Sequence, residues 1–425
     1  MKTSRRGKVE PDGGDRGHGV HGGAGAREAR REGGPRLAGW LGPAERQVVW
    51  TVLAVKAVVL LFGAQAYTVA TNRLLSSPRG WLEIWDRWDA PHYLDLASEG
   101  YVAEGVEARW IVFYPLYPWL VRLAAFFVRD YLAAAFLVSG LASVALGLVL
   151  YRLARLDETE EVALGSVFFL LIFPTAYFLH VGYTESLFLA LTVGAFLAAR
   201  RRVWWAAGLL GFLCGLTRVN GLLLVPALAA EAYLQRREDR RGAVGGRGAA
   251  AGRRREWRQE WRLEWLWCGA AGAGFGCYLL LNYWVFGHPL EFLRAQEAYW
   301  GKSLTWPWTG LQGTWRALWT RAPSEAQTVG GQELLFTALG AGCTVWAWAR
   351  LRASYAVWMT LNWLLWTSTK FVLSVPRYTL VLFPVFILFA RAAGEHAVWR
   401  AVLVVWSLLF MGFFVTQFVQ GKWGF

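Results

Sequence analysis

The sequence predicts an all-α polytopic membrane protein with about 11 transmembrane helices and a large first outer loop, and three observations carry this prediction. Hydrophobic residues make up 56% of the 425-residue chain, more than a soluble domain of ordinary composition contains. They gather in runs long enough to cross a bilayer as helices. The net charge of +14 lies largely between those runs, which follows the positive-inside rule and argues against a nucleic-acid partner.

The chain opens with residues 1–46, which are rich in glycine and arginine and almost free of large apolar side chains. Such a segment cannot bury enough apolar surface to offset the entropy of ordering, so it is predicted to be a disordered, basic cytoplasmic tail. The first apolar run, 47–70, is longer than the core of a cleaved signal peptide and is interpreted as an uncleaved anchor. Residues 47–425 are predicted to form one transmembrane domain.

Apolar length and loop charge together give the predicted spans. These are 47–70, 131–151, 162–180, 184–199, 203–217, 219–234, 265–286, 333–349, 355–373, 376–391 and 398–418. If the basic tail is cytoplasmic, the arginine clusters between spans all fall on the same side, which supports the count. The Arg-rich segment 236–258 is then a cytoplasmic loop, whereas 71–130 and 287–332 form large outer loops.

Two segments allow more than one assignment. Residues 113–128 are apolar enough to span, but a span there would move Arg152 and Arg155 outside, so we predict an interfacial helix within the outer loop. Residues 203–234 lie between arginine clusters, and two short helices that meet near Arg218 return the chain to the cytoplasmic side. Helices this short indicate a thinned or re-entrant region.

The first outer loop is the most informative polar part of the chain, because segment 86–101 concentrates acids, a histidine and aromatic side chains. At helical spacing, Asp86 and Asp89 lie one turn apart, as do Asp89 and Tyr93. Neighbouring acids on a partly desolvated surface raise each other's pKa, which suits a general base. A structural role is also open, since Asp89 precedes Pro91 and fits a helix N-cap.

Polar residues also mark the outer ends of several predicted spans. Glu185 opens the span 184–199, where a carboxylate either caps the helix or serves a site. Arg218 and Arg377 lie on the outer side, against the charge bias of the chain, where they either snorkel or hold a phosphate. The two prolines of 113–118 stiffen an aromatic segment that suits an interfacial anchor.

The sequence gives no pattern for a metal or a nucleotide. The four cysteines, Cys214, Cys268, Cys277 and Cys343, are scattered through apolar segments and match neither a metal motif nor a disulfide framework. No Gly-rich strand–helix motif is evident, and Asp86 and Asp89 are three positions apart rather than the two of a DxD metal pair. We therefore expect neither a metal ion nor a bound cofactor.

Five groups of residues, in order along the chain, resemble the PIG-V family, the GPI mannosyltransferase II relatives that include bacterial members. They are RWDAPHY at 87–93 with Ala97 and Gly100-Tyr101; FYPLYP at 113–118; FPTAY at 173–177 with YTESLF at 183–188; LTR at 216–218 with Gly221; and PRY at 376–378 with FP at 383–384. Each group alone is a modest signal, but their order over nearly the whole chain after residue 46 is a strong one.

The resemblance implies a GT-C glycosyltransferase, a multispan enzyme whose active site faces the outside or a lumen and which takes its sugar from a polyprenyl phosphate. Asp89 matches the family's first-loop aspartate and would be the general base that deprotonates an acceptor hydroxyl. Arg218 and Arg377 would hold the leaving phosphate. Because the donor of this class is β-linked, an inverting displacement would give an α-mannoside.

Further residues are expected at the substrates of such a mannosyltransferase-like hexosyltransferase. They are Asp86, His92, Tyr93, Tyr117, Glu185 and Tyr378. The expected partners are a polyprenyl-phosphate sugar donor, a lipid or glycan acceptor, membrane lipids and, as an open option, a partner subunit. The arginine- and alanine-rich sequence favours a bacterial or archaeal host, and hence a bacterial cell membrane.

Two functions without this chemistry stay open. One is a transporter or lipid flippase, which would explain the spans and the outer arginines. No repeat of fixed period is visible to support a two-fold-repeat transporter, and a polar outer loop of this size is not explained by transport. The other is an inactive partner subunit of a glycosyltransferase complex, against which the intact Asp89 counts.

Overall fold

The computed structural model describes residues 41–244 and 250–425. Residues 1–40 of the predicted tail and residues 245–249 of the predicted cytoplasmic loop lie outside the described ranges. Residues 43–46, predicted as tail, instead form the first turn of a long helix. The described part of the chain is all-α, with a single isolated antiparallel bridge between Leu304 and Thr369.

The helices are numbered along the chain. The first half contains α1 Pro43–Thr71, α2 Pro78–Glu83, α3 Ala90–Ser98, a 3₁₀ turn Val106–Val112, α4 Leu116–Val128, α5 Tyr131–Ala154, α6 Glu160–Ile172, a 3₁₀ turn Ala176–Leu179, α7 Glu185–Arg200 and α8 Trp204–Gly215. The second half contains a 3₁₀ turn Val219–Leu223, α9 Leu224–Val244, α10 Ala250–Phe286, α11 Glu291–Trp300, α12 Pro307–Thr320, α13 Pro323–Glu325, a π-helix Ala326–Gln332, α14 Glu333–Arg350, α15 Ala353–Thr367, α16 Val375–Thr379, α17 Pro384–Glu395 and α18 Ala397–Val419.

Every predicted span contains a helix of the structure. By length and composition, three of the described helices can cross a bilayer, namely α1, α5 and α18. A fourth is added if the turn Val106–Val112 and α4, which are bent by 114° to each other, are taken as one span. The other predicted spans correspond to helices that are shorter, less apolar or broken, so the count of eleven stays a prediction.

The structure confirms the prediction for the region 203–234 but not for the segment 236–258. The region 203–234 is broken at Arg218 between α8 and the turn Val219–Leu223, which confirms two helices in place of one. The segment 236–258 was predicted as a loop, but α9 continues through Val244 and α10 begins at Ala250. Arginine and alanine are strong helix formers, and this propensity explains why the basic segment is helical where it is described.

Close helix packing fixes the break at Arg218. Helices α8 and α10 touch through glycine, since a Cβ placed on Gly274 would lie only 2.0 Å from the carbonyl oxygen of Phe212. Gly215 likewise lies against the backbone of Ala271, since a Cβ placed on it would lie 2.6 Å from the carbonyl oxygen of Ala271. Small residues let two helix backbones approach this closely within a membrane. The end of α8 is therefore held firmly, and Arg218 follows it three residues later.

The large core side chains lie on the helices that carry the outer polar motifs. Phe173 just after α6 and Phe188 and Phe196 on α7 are completely buried. So are Trp358 on α15 and Phe383 just before α17. Their rings meet mostly edge to face or tilted, with Phe196 at 5.3 Å from Phe383. Buried aromatic rings contribute large apolar areas and packing beyond area alone. This core fixes the start of α7 relative to the segment that precedes α17.

Candidate active site

Four side chains from distant parts of the chain form one ionic cluster. Arg377 donates from Nη1 to Asp89 Oδ2 at 2.7 Å and from Nε to Glu185 Oε1 at 2.5 Å. Arg218 donates from Nη1 to the same Glu185 oxygen at 2.5 Å. The cluster therefore joins the start of α3, the start of α7, the break after α8 and α16. All four residues were singled out from the sequence, and the structure brings them together.

Asp89 is directed towards the cluster by the turn that precedes α3. Trp88 stands in the left-handed region at φ 57°, a conformation that is uncommon for a bulky residue and often accompanies functional sites. Asp89 occupies the N-cap position of α3 but makes no side-chain capping bond. The capping interpretation is therefore wrong for its carboxylate, which pairs with Arg377 and keeps 32% of its side-chain surface exposed.

Glu185 is the first residue of α7, and its side chain is completely buried. Its Oε1 receives both arginines, whereas Oε2 is buried without a hydrogen-bond partner among the described residues. A buried carboxylate oxygen without a donor is costly, because desolvation is not compensated. This oxygen marks a place where a hydroxyl group of a bound molecule would find an acceptor.

Arg377 is held by its helix and by aromatic rings. Its guanidinium carbon lies 4.6 Å from the ring centre of Phe178 and 4.7 Å from that of Tyr183. Thr175 donates from Oγ1 to the carbonyl oxygen of Pro376 at 2.9 Å, which fixes the start of α16. Cation–π contacts and two carboxylates offset the cost of removing this arginine from water. Only 9% of its side chain is exposed, so it has little freedom to snorkel.

The sequence did not indicate Glu333, which supports the start of α16, the helix that carries Arg377. Its side chain is completely buried at the start of α14, and it accepts backbone N–H bonds from Ser374 and Val375, both at 2.7 Å. Ser374 stands in the left-handed region at φ 70°. From the sequence, Glu333 is only an acid in the first turn of a predicted span. Its partners lie 41 and 42 positions away, so no local pattern identifies them.

Arg218 enters the cluster from the break between α8 and the turn Val219–Leu223. Besides Glu185 it donates to Thr184 Oγ1 at 3.3 Å, and its guanidinium carbon lies 6.0 Å from the ring centre of Tyr378. Asn220, two residues later, donates to Asn362 Oδ1 at 2.6 Å and ties the turn to α15. The predicted substrate residue Tyr378 therefore lies beside the cluster, with its ring only partly buried.

The aromatic residues of the predicted first outer loop form a wall next to Asp89. The His92 ring stacks on Trp110 with centroids 3.6 Å apart. Tyr93 is buried, and its ring meets those of Tyr117 at 5.3 Å and Tyr183 at 6.1 Å, both edge to face. The Tyr117 hydroxyl is completely buried and hydrogen-bonds with Ser139 at 2.9 Å. These contacts give Tyr93 and Tyr117 packing roles, and a contact with substrate stays a prediction for them and for His92.

Asp86 lies apart from the ionic cluster. Burial raises the pKa of its carboxyl, Arg87 opposes this shift, and the acidic neighbours that add to it are Asp95 and Glu83. Its Oδ1 is buried without a hydrogen-bond partner among the described residues. The expected mutual effect of Asp86 and Asp89 is thus not the main influence on the pKa of Asp86. A role for Asp86 at the substrates stays a prediction.

The pKa of His92 is lowered, chiefly because burial disfavours the imidazolium. Asp89 and Asp95 act in the opposite direction, and Arg109 lowers the pKa further. The neutral ring is therefore the favoured form near pH 7. Among the described residues, no group of three or more His, Cys, Asp or Glu side chains is placed to hold a metal ion. The chemistry available here is that of carboxylates and guanidinium groups.

The fold and the cluster define an all-α, multi-pass membrane protein with a largely buried carboxylate–arginine site. The chain is similar to GPI mannosyltransferase 2 of Schizosaccharomyces pombe, with 30% identity over 143 residues that cover 32% of this chain and 30% of that protein. It is also similar to GPI alpha-1,6-mannosyltransferase 2 of Rattus norvegicus, with 31% identity over 150 residues that cover 33% of this chain and 30% of the relative.

The corresponding Mus musculus protein is 32% identical over 148 residues, which cover 32% of this chain and 29% of that protein. These relatives confirm the resemblance drawn from the motifs, and the chain spans less than a third of the length of each. No family model matches the chain. Among solved structures, the apo oligosaccharyltransferase of Archaeoglobus fulgidus aligns with a TM-score of 0.43 and 11% identity, over 88% of this chain and 56% of that one.

Proposed function

We propose that this protein is a membrane mannosyltransferase that moves a mannosyl residue from a polyprenyl-phosphate sugar to a lipid or glycan acceptor. The observation that carries the proposal is the ionic cluster, in which Asp89 alone among the two carboxylates keeps a substantial exposed surface. A base must reach the hydroxyl from which it takes a proton, and Asp89 meets this requirement whereas Glu185 is completely buried. The similarity to mannosyltransferases supports the choice of sugar.

In the proposed reaction, Asp89 removes the proton from an acceptor hydroxyl as that oxygen attacks the anomeric carbon of the donor. The bond between the anomeric carbon and the phosphate oxygen breaks, and the polyprenyl phosphate leaves with the bonding electrons. Attack from the face opposite the leaving group inverts the configuration, so a β-linked donor gives an α-mannoside. General-base assistance of this kind typically contributes about 10²–10⁴-fold to the rate.

The shared arginine links proton transfer to departure of the phosphate. Arg377 pairs with Asp89 in the structure, so its positive charge initially stabilises the carboxylate. When Asp89 takes up the proton, it becomes neutral at the same stage at which the leaving phosphate gains negative charge. The charge of Arg377, with that of Arg218, is then available to the phosphate without a large movement of either side chain. Preorganised charge of this kind is a major source of transition-state stabilisation.

The buried Glu185 oxygen completes the proposed site. Oε2 has no donor among the described residues, and a sugar hydroxyl is a donor of the right kind. Its partner oxygen keeps both arginines in place, so Glu185 would position the phosphate-binding groups and hold one hydroxyl. No metal is needed for this scheme, since two arginines supply the positive charge. We place the enzyme in a bacterial cell membrane on the basis of its arginine- and alanine-rich sequence.

The test is transfer of radiolabelled mannose by the purified full-length protein, reconstituted with a total lipid extract as acceptor. We expect transfer from polyprenyl-phosphate mannose and none from GDP-mannose. Arg218→Lys keeps the charge but loses the planar fork, so donor affinity should fall. If the folded wild-type protein transfers no mannose from any polyprenyl-phosphate donor, the proposal is wrong. That result would favour a transporter or a partner subunit instead.

A further inference from the structure

Lys302, which the sequence did not single out, lies beside the ionic cluster in the predicted outer loop. Its Nζ donates to the Tyr378 hydroxyl at 3.4 Å. It also lies 5.4 Å from the ring centre of Tyr378 and 5.7 Å from that of Phe371. Within the described ranges, no carboxylate lies at salt-bridge distance from this ammonium group. Lys302 is therefore a half-buried cation without a salt bridge in that part of the chain, and the acid that acts on it electrostatically is the buried Glu333, whose oxygens accept from the backbone N–H groups of Ser374 and Val375.

The backbone around Lys302 is tied to the segment that leads into α16. Thr305 donates its N–H to Ser368 at 3.0 Å, and Lys370 donates its N–H to Ser303 at 3.0 Å. These two bonds flank the antiparallel bridge between Leu304 and Thr369. Because residues 368–374 run directly into the helix that carries the cluster arginine, the position of Lys302 is fixed relative to that arginine.

The charges of the cluster leave a role for this lysine. Arg377 and Arg218 are already paired with Asp89 and Glu185, so the four side chains balance one another in charge. Lys302 adds one positive charge next to Tyr378, which itself lies beside Arg218. An incoming anion with one negative charge, such as a phosphodiester, would meet at Lys302 a cation that has no salt bridge, whereas both arginines are already ion-paired. A partly desolvated ammonium binds phosphate as a point charge.

An apolar groove runs along α12, the helix that packs against the same segment. It has a volume of about 470 Å³ and is lined by Trp308, Leu311, Trp315, Leu334, Ala338 and Trp363. Helix α12, which forms one wall, packs against the bridge, since a Cβ on Gly310 would lie 2.4 Å from the carbonyl oxygen of Thr369. The helix that forms one wall of the groove and Lys302 therefore both contact the segment 368–374. This pairing fits an anion that carries a long hydrocarbon chain.

We propose that Lys302 binds the phosphate of the lipid-linked donor before Asp89 takes up its proton and frees the charge of Arg377, and that the polyprenyl chain lies in the groove along α12. The proposal rests on the proposed function for the identity of the lipid. It assigns separate tasks to the three cations: Lys302 captures the phosphate, while Arg218 and Arg377 stabilise it as it leaves. Tyr378 orients the ammonium group through its hydroxyl and ring.

The experiment measures binding of radiolabelled farnesyl phosphate to the full-length protein in detergent. Lys302→Ala should weaken binding about ten-fold, the size expected for loss of a charge-assisted contact. Lys302→Arg should restore most of it. The matched control is Lys370→Ala, which removes an exposed lysine next to Thr369, the partner of Leu304 in the isolated bridge. Farnesol, which has the chain but no phosphate, should bind equally to the wild type and to Lys302→Ala.

Three results would overturn the inference: unchanged farnesyl phosphate binding in Lys302→Ala, an equal loss in Lys370→Ala, or inorganic phosphate that competes as well as the lipid phosphate. The last result would assign the site to free phosphate. Because binding is measured without sugar transfer, the two proposals fail separately. A wild-type protein that binds farnesyl phosphate through Lys302 but transfers no mannose would contradict the proposed reaction and leave the phosphate contact intact.

Discussion

Glu185 and Glu231 are both completely buried carboxylates, and each lies between two arginines, but their hydrogen bonds differ. Both oxygens of Glu231 are occupied. Its Oε2 accepts from Arg352 Nε at 2.6 Å and from Ser354 Oγ at 2.7 Å, and its Oε1 accepts from Gln235 Nε2 at 2.8 Å. Glu185 receives both of its arginines on Oε1, while Oε2 has no partner among the described residues.

The arginines of the two clusters also lead to different surroundings. Around Glu231 they continue to other acids, with Arg352 bonded to Glu238 at 2.9 Å and Arg200 bonded to Asp157 at 2.6 Å. In this group both oxygens of the buried carboxylate have donors, although the amide oxygen of Gln235 is buried without a partner among the described residues. Around Glu185, one arginine continues only to Asp89, which is partly open to solvent.

A satisfied buried network stabilises and specifies a fold, whereas a partly satisfied one is costly and needs another explanation. The comparison therefore separates two groups of similar composition. The Glu231 cluster has the features of a structural tie between α9, α15 and the end of α7. In the Glu185 cluster, Glu185 Oε2 has no donor among the described residues and Asp89 is partly exposed, so both could contact a ligand. Changing residues in both clusters should expose this difference.

The largest effect is expected for Asp89→Asn. This nearly isosteric change removes the proposed base, so turnover should fall by about 10²–10⁴-fold. Since the Asp89 carboxylate makes no capping bond, α3 should form normally. The melting temperature should fall less than in a variant of the buried Glu185, because Asp89 is partly exposed and Arg377 keeps Glu185 as a partner. The measurement is mannose transfer by purified variants of matched folding. Asp86→Asn is the control and should cost less, because its carboxylate lies outside the cluster. Full turnover in Asp89→Asn would assign the base to another residue.

The sharpest test of the comparison is the pair Glu185→Gln and Glu231→Gln. Removing one partner of a buried ion pair commonly costs about 3–5 kcal/mol of stability, so both variants should melt at lower temperature. Only Glu185→Gln should also lose turnover per folded molecule, by about 10²-fold, because misplaced arginines no longer match the phosphate. Thermal melting and transfer by the folded fraction are measured in parallel. Equal losses of turnover in the two variants would show that the clusters do not differ in function.

The sequence predicted the helical regions well because apolar length is a local property. Each predicted span contains a helix, and the break at Arg218 follows from the charge clusters on either side. The prediction failed at 236–258, where arginine content was taken to indicate a loop although arginine favours helix. Charge distribution gives the side of the membrane on which a segment lies, but it does not give the secondary structure of that segment.

The cluster itself could be predicted only as separate residues. Asp89 and Arg377 are 288 positions apart, and no spacing rule connects them. The resemblance singled them out one by one, and folding was needed to show that the arginines pair with the carboxylates. Glu333 and Lys302 were missed for the same reason, because their importance comes from contacts with the segment before α16. The chemical roles assigned to these residues stay predictions.

A smaller effect is expected for Glu333→Gln. The amide cannot accept from both backbone N–H groups of Ser374 and Val375 with the strength of a carboxylate, so α16 should lose part of its support. We expect kcat to fall about ten-fold with little change in the donor KM, since the arginine is displaced at the transition state and Lys302 still binds the donor. The control Glu325→Gln changes an exposed acid of α13. A rise in KM alone would contradict the positioning role.

The smallest effect concerns His92 and pH. Burial lowers the pKa of His92 below its value of about 6.5 in an unfolded chain, so the folded state binds fewer protons than the unfolded state just below pH 6.5. Stability is therefore present above that pH and is lost as the pH falls towards the folded pKa, by at most about 1.4 kcal/mol per pH unit. His92→Phe keeps the stacking on Trp110 and removes the titration. Between pH 7.5 and 5.5, its melting temperature should fall less than that of the wild type, whereas the exposed His396→Gln should behave like the wild type. An identical fall in His92→Phe and the wild type would show that protonation of this ring does not oppose folding.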